Sequence, residues 1–124
     1  MSQLLYNEDT YKIIGICMAV HSELGKGFSE VVYADALEIE LIDNNITYSR
    51  EKKFGIVYKG NLLPHEYKAD FIINDKIVLE IKAVICLTDS HVKQTLNYLA
   101  VSKLKLGLLI NFGEDSLKHK RVIL

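Results

Sequence analysis

The chain has 124 residues, of which 49% are apolar, and its formal net charge at pH 7 is −1. This length and apolar content suit one globular domain with a buried core, which we expect to span residues 1–124. The near-neutral charge excludes a domain that holds duplex nucleic acid by overall positive charge. A nucleic-acid partner must therefore contact a local basic patch. The candidate patches are 50–53, Lys59, Lys103, Lys105 and 118–121. Ordinary solvated surface is an equally good interpretation of these residues.

The sequence predicts a cytoplasmic protein with no membrane partner. The longest uncharged stretches, 13–20 and 106–112, are too short to cross a bilayer, and residues 1–3 do not open a signal peptide. Cys17 and Cys86 form no close-spaced pair, which favours reduced thiols in a core over a disulfide or a zinc site.

Two helices are predicted at the start of the chain, over 7–24 and 28–43, with Gly25 ending the first. Asp9 or Thr10 is the expected cap of the first helix. On that helix His21 shares the apolar face and is most simply a hydrogen-bonded core histidine.

Glu30 heads the apolar stripe of the second predicted helix. An acid on a buried face is costly unless a partner or an ion compensates it. The alternative is that Glu30 lies at the rim of the core and favours the N-terminal end of the helix dipole. The helix pattern leaves both interpretations open.

Residues 46–83 are predicted to form three antiparallel strands. The first bulges near Phe54, and turns at 59–61 and 74–76 lead into the second and the third. The remaining chain predicts a helix that opens at the cap cluster 88–90, a strand buried on both faces, and a terminal edge strand. The predicted fold is therefore an α/β domain with a mixed sheet flanked by helices.

The turn at 74–76 decides which residues face each other in the second hairpin. A two-residue turn would pair Asp70 with Leu79, whereas a three-residue tip pairs Asp70 with Glu80 and keeps apolar residues opposite one another. We prefer the second register. Two carboxylates at cross-strand spacing repel unless one is protonated or a cation bridges them, and a hard divalent ion is the natural bridge.

Three short motifs occur in order along the chain. Residues 27–33 read GFSEVVY, Asp70 is followed after nine residues by Glu80, Ile81 and Lys82, and residues 94–98 read QTLNY. Together they resemble the PD-(D/E)XK nuclease superfamily, through the GxxExxY motif of one of its small families, the Asp…Glu-x-Lys signature and the QxxxY motif of its RecB-like branch. An acid-x-lysine pattern alone is common, so the likeness depends on the ordered set.

The resemblance implies an αβββαβ core with an extra N-terminal helix, and it implies roles for individual residues. Glu30, Asp70 and Glu80 would hold Mg²⁺ or Mn²⁺, with the Ile81 carbonyl as a further ligand. Lys82 would orient or activate the attacking water.

Three residues of the predicted third helix would support that site. Gln94 and Tyr98 lie one turn apart on one helix face, and would support the site or contact a phosphate. His91 either joins them or is a cap-region histidine near Asp89.

Three functions compete at this point. The leading hypothesis is a Mg²⁺-dependent nuclease that acts on DNA or RNA. The alternative is a non-catalytic binding module with the same fold, acting through a protein or nucleic-acid partner, and a third is an enzyme of another phosphate-containing substrate. Small nucleases of this kind often dimerise to span a duplex, so a homodimer is an open alternative.

Overall fold

The structure is a computed structural model that describes residues 5–124, so residues 1–3, which bear on the signal-peptide prediction, lie outside it. Three helices and five strands follow one another in the described chain: α1 (Asn7–Leu24), α2 (Glu30–Asp43), β1 (Tyr48–Tyr58), β2 (Asn61–Ile73), β3 (Ile77–Lys82), α3 (Asp89–Ser102), β4 (Leu106–Asn111) and β5 (Lys118–Ile123). No helix among these residues is long and apolar enough to span a membrane.

The five strands form one mixed sheet in the order β1-β2-β3-β4-β5. Only β3 and β4 run parallel; the other neighbours are antiparallel. One apolar cluster joins α1 and α2 to one face of the sheet, and a second cluster joins α3 to the other. Every residue of β4 is buried because helices cover both of its faces. The predicted mixed sheet flanked by helices is confirmed.

The first two helices differ from their predicted starts. Tyr6, in a left-handed conformation with φ of 52°, precedes α1, so the prediction of a cap at Asp9 or Thr10 is wrong. The second helix begins at Glu30 instead of residue 28. The Tyr33 hydroxyl accepts a hydrogen bond from the Phe28 N–H and donates one to the Gly25 carbonyl. These two bonds hold the segment before α2 in a loop.

The hairpin between β2 and β3 has the three-residue tip that the apolar pattern favoured. Its paired residues are Ile73 with Ile77, Ile72 with Val78, and Phe71 with Leu79. Asn74 and Asp75 at the tip adopt left-handed conformations, which both residue types tolerate better than most. Backbone pairing between these strands ends at Phe71–Leu79, one residue before Asp70 and Glu80.

The two cysteines are free thiols in different surroundings. Cys17 is fully buried in the core beneath α1, and this burial raises its pKa to about 12. Cys86 is exposed in the loop between β3 and α3. The predicted core position is therefore right for Cys17 and wrong for Cys86.

Candidate active site

The centre of the candidate site is a pair of carboxylates placed where the β2–β3 ladder ends. The Asp70 N–H donates to Glu80 Oε1 at 3.2 Å, and the Ile81 N–H donates to Asp70 Oδ2 at 2.8 Å. The two side chains thus replace the hydrogen bonds that a continuing ladder would supply. The acids meet between the strands, as the preferred register predicts.

Burial controls the charge of this pair. Glu80 is only 3% exposed, and this burial, followed by the charge of Asp70, raises the pKa of Glu80 to about 9. The nearby Lys82 charge opposes the shift without cancelling it. At neutral pH and without a cation, Glu80 therefore holds a proton.

A cavity of about 120 Å³ lies beside Asp70, one member of the carboxylate pair. Its walls include Asp70, Ile81 and Glu30, and also Val31, Ala34, Arg50 and Glu51. Glu30 is exposed, which excludes the first of its two interpretations, a place on the buried face of α2. The first turn of α2 does not pack against the core. Val31 in that turn is also 58% exposed, and the buried stripe of the helix begins at Tyr33. Glu30 lies at the rim, as the alternative interpretation holds.

The predicted three acids are only partly brought together. Between residues 5 and 124, no three His, Cys, Asp or Glu side chains are close enough to form a metal site. Asp70 and Glu80 form a contacting pair, whereas Glu30 shares the cavity with Asp70.

The α3 side of the site contains Lys82 and the two residues of the QxxxY motif. Lys82 Nζ donates to Gln94 Oε1 at 3.0 Å. Tyr98 is mostly buried and packs edge-on against Tyr67, with 5.4 Å between ring centroids. Burial, and then the charges of Glu80 and Asp70, raise the pKa of Tyr98 to about 12, so its phenol stays protonated.

His91 forms part of the N-terminal cap of α3. Its Nδ1 accepts the Thr88 N–H at 3.0 Å, and Thr88 and His91 form a reciprocal capping box. The cap-region interpretation therefore describes this histidine, and its hydrogen-bond partner is Thr88.

The family of the chain follows from comparison of its sequence. The sequence profile of the PD-(D/E)XK nuclease superfamily matches residues 7–122. The chain belongs to this superfamily. No curated protein sequence matches it.

Two solved structures are similar to this PD-(D/E)XK protein. The crystal structure of SSO0001 has a TM-score of 0.62 and 24% sequence identity over 76% of this chain and 50% of that one. The present chain thus spans half the length of SSO0001, and the likeness supports the fold. The crystal structure of an alkaline exonuclease (LHK-Exo) from Laribacter hongkongensis has a TM-score of 0.48 and 13% identity, covering 99% of this chain and 72% of that one.

The end of β4 fixes the backbone that follows Lys82, a role that the sequence patterns did not identify. The fully buried Asn111 accepts the N–H groups of Val84 and Gly113, and donates to the Val84 carbonyl at 2.9 Å. The Phe112 N–H donates to the Lys82 carbonyl at 2.8 Å. These four residues, Asn111, Phe112, Gly113 and Val84, form a clamp on the exit of β3.

The tyrosine of the GxxExxY motif connects this clamp to α2. Tyr33 is fully buried and stacks on Phe112, with ring centroids 4.5 Å apart. Its hydroxyl donates to the Gly25 carbonyl at 2.6 Å. The motif tyrosine therefore ties the segment before Glu30 to the end of β4.

Gly113→Ala is expected to destabilise the protein by about 2 kcal/mol or more, because the added methyl has no room. Its Cβ would overlap the Val84 carbonyl and lie 2.5 Å from the Val84 nitrogen, both of them backbone atoms. Urea denaturation measures the change in the free energy of unfolding. Gly15→Ala is the matched control, since its Cβ position in α1 has no atom within 4 Å apart from its chain neighbours and the backbone of its own helix. It should stabilise by up to about 1 kcal/mol. Equal effects at the two sites would contradict the clamp.

Proposed function

We propose that this protein is a divalent-metal-dependent nuclease of the GxxExxY family, using Mg²⁺ or Mn²⁺ to hydrolyse phosphodiester bonds in DNA or RNA. The observation that carries the proposal is the contacting pair of Asp70 and Glu80 beside Lys82, in a member of a nuclease superfamily.

The donor atoms present fit a hard cation. A proton held on buried Glu80 beside Asp70 marks a place where positive charge is favourable, and carboxylate and carbonyl oxygens suit Mg²⁺ or Mn²⁺ better than Zn²⁺. Asp70 and Glu80 would hold the ion, with the Ile81 carbonyl as a further ligand. Glu30 would join them through rotation of its exposed side chain at the rim of the shared cavity.

A bound ion of this kind stabilises negative charge on a phosphate and lowers the pKa of an attacking water. The protein adds a fixed cation, because Gln94 accepts a hydrogen bond from the Lys82 ammonium and so orients it. An ammonium beside the carboxylates would orient the attacking water and offset the charge that builds on the phosphate. Tyr98, which keeps its proton, can donate a hydrogen bond on the same side of the sheet.

Mg²⁺ is expected to raise the melting temperature of the protein, because an ion that binds only the folded state stabilises it. At 100 times the dissociation constant the gain is about 2.7 kcal/mol. Thermal denaturation in a Mg²⁺ series measures the shift, and cleavage of labelled DNA and RNA strands, single and double, is followed in the same buffers. Glu80→Gln should lose both effects. Wild type that shows neither stabilisation nor cleavage would contradict the proposal.

A second function, a non-catalytic binding module, is favoured by one observation. Over residues 5–124 the acids do not form a group of three ligands. A module whose acids have lost their metal would show no Mg²⁺-dependent shift while still binding a partner, so the same titration separates the two functions.

A further inference from the structure

The hairpin of β1 and β2 extends beyond the rest of the sheet. Pairing of β1 with β2 continues to Tyr58–Asn61, whereas pairing of β2 with β3 ends at Phe71–Leu79. Residues 52–68, here called the basic ribbon, are therefore two strands paired with each other. The base of the basic ribbon is supported by Phe54 and Tyr67, which pack against the α3 side of the core.

The basic ribbon has a charge opposite to that of the whole chain. It contains four lysines and one acid, while the chain has a formal net charge of −1. Lys53 pairs with Glu66 at 3.7 Å. Lys52, Lys59 and Lys68 are exposed, and no ion pair within residues 5–124 involves them. Their charges are therefore available to an anionic partner.

Exposed flat and apolar side chains accompany these lysines. Tyr58 is 59% exposed, and Lys59 Nζ lies 5.5 Å from the centre of its ring. Val57 and Leu62 are also exposed. Lysine beside an aromatic ring is suited to a phosphate backbone with stackable bases, whereas the core of a protein interface is depleted of lysine.

The basic ribbon leads directly into the candidate active site. Lys68 precedes Asp70 by two residues on β2, and Lys52 follows Glu51, which lines the cavity together with Asp70. A polyanion lying along the basic ribbon would therefore reach the carboxylate pair.

We propose that the basic ribbon binds the sugar-phosphate backbone of a nucleic acid and feeds it to the Asp70–Glu80 site. Lys59 at the turn, Lys52 on one face of the basic ribbon and Lys68 on the other contact phosphates, and the exposed ring of Tyr58 stacks on a base. This inference rests on the proposed nuclease function, because it names the surface by which that site receives its substrate.

The test is binding of fluorescently labelled DNA and RNA, single- and double-stranded, measured by anisotropy in EDTA over a series of salt concentrations. The triple variant Lys52→Ala/Lys59→Ala/Lys68→Ala should bind about ten-fold or more weakly. In a plot of log affinity against log salt concentration, the slope for this variant should be less steep by about 2 to 3. Each lost phosphate contact accounts for about 0.7 to 0.9 of that change in slope. The matched control Lys105→Ala/Lys118→Ala/Lys120→Ala removes three exposed lysines elsewhere and should bind like wild type.

Three results would overturn the role of the basic ribbon: equal losses in the two triple variants, no loss in either, or wild type that binds no nucleic acid. A wild-type dimer that Val57→Ser/Leu62→Ser converts to a monomer, with nucleic-acid affinity unchanged, would also overturn it and identify a self-association surface. These outcomes are distinct from failure of the nuclease proposal. If wild type cleaves with Mg²⁺ and the ribbon variant binds and cleaves like wild type, only the role of the basic ribbon is overturned.

Discussion

Asp70→Asn is expected to reduce Mg²⁺-dependent cleavage by about 10³-fold, with little change in folding. The substitution removes negative charge that would hold the cation, and with it the stabilisation that the cation gives to charge on the phosphate. Losses of this size are typical when one preorganised electrostatic group is removed. The asparagine oxygen can still accept the Ile81 N–H that Asp70 Oδ2 accepts at 2.8 Å. Single-turnover cleavage of a labelled strand measures the rate.

Asp75→Asn is the matched control for this variant. Asp75 lies at the exposed tip of the same hairpin, and its left-handed conformation suits asparagine. The control should cleave at the wild-type rate. An Asp70→Asn protein that folds and cleaves as fast as the control would remove the catalytic role of the carboxylate pair. Glu80→Gln and Lys82→Ala should lose activity as Asp70→Asn does.

Metal-free protein is expected to lose stability as the pH rises from about 4.5 to about 9. The folded-state pKa of Glu80 is raised from 4.5 to about 9, so the folded state holds a proton that the unfolded chain releases. The stabilising effect is complete below the unfolded pKa and is lost as the pH passes through the folded pKa. The free energy of unfolding should fall by an amount on the order of 5 kcal/mol across this window. Urea denaturation in EDTA at successive pH values measures it.

Glu80→Gln isolates this group, because glutamine keeps the shape and cannot ionise. Its stability should change much less over the same pH range and should exceed that of wild type at pH 9. Mg²⁺ added at pH 8 should stabilise the wild-type protein, since the cation replaces the proton. It should have no such effect on Glu80→Gln. Parallel pH profiles for the two proteins would contradict the assignment of this titration to Glu80.

Most of the fold could be predicted from local patterns. Alternation of apolar residues on both sides of 74–76 determined the register, because a shift would have placed acids opposite leucine or isoleucine. The cap cluster at 88–90 located the start of α3, and the unbroken apolar run before Asn111 identified a strand covered on both faces. These signals are short-range, and they depend on periodicity and on local turn and cap residues.

The details of the site were less accessible because they depend on packing between distant segments. A helical wheel does not show how much of a helix contacts the core, so it left open whether Glu30 is buried or lies at the rim, where the structure places it. Strand alternation predicted that Asp70 and Glu80 meet, but not that burial would protonate Glu80. The contacts of Asn111 with Val84 cross 27 positions of sequence, and no periodic pattern reports such a contact.

The contrast between the two cysteines has a practical consequence for measuring these reactions. The buried thiol at Cys17 resists ionisation, whereas Cys86 is open to reagents and lies four residues beyond Lys82. A maleimide dye would therefore attach at a single position without any engineered substitution. Fluorescence from that position would follow the arrival and departure of a strand in real time, next to the lysine that we propose acts on it.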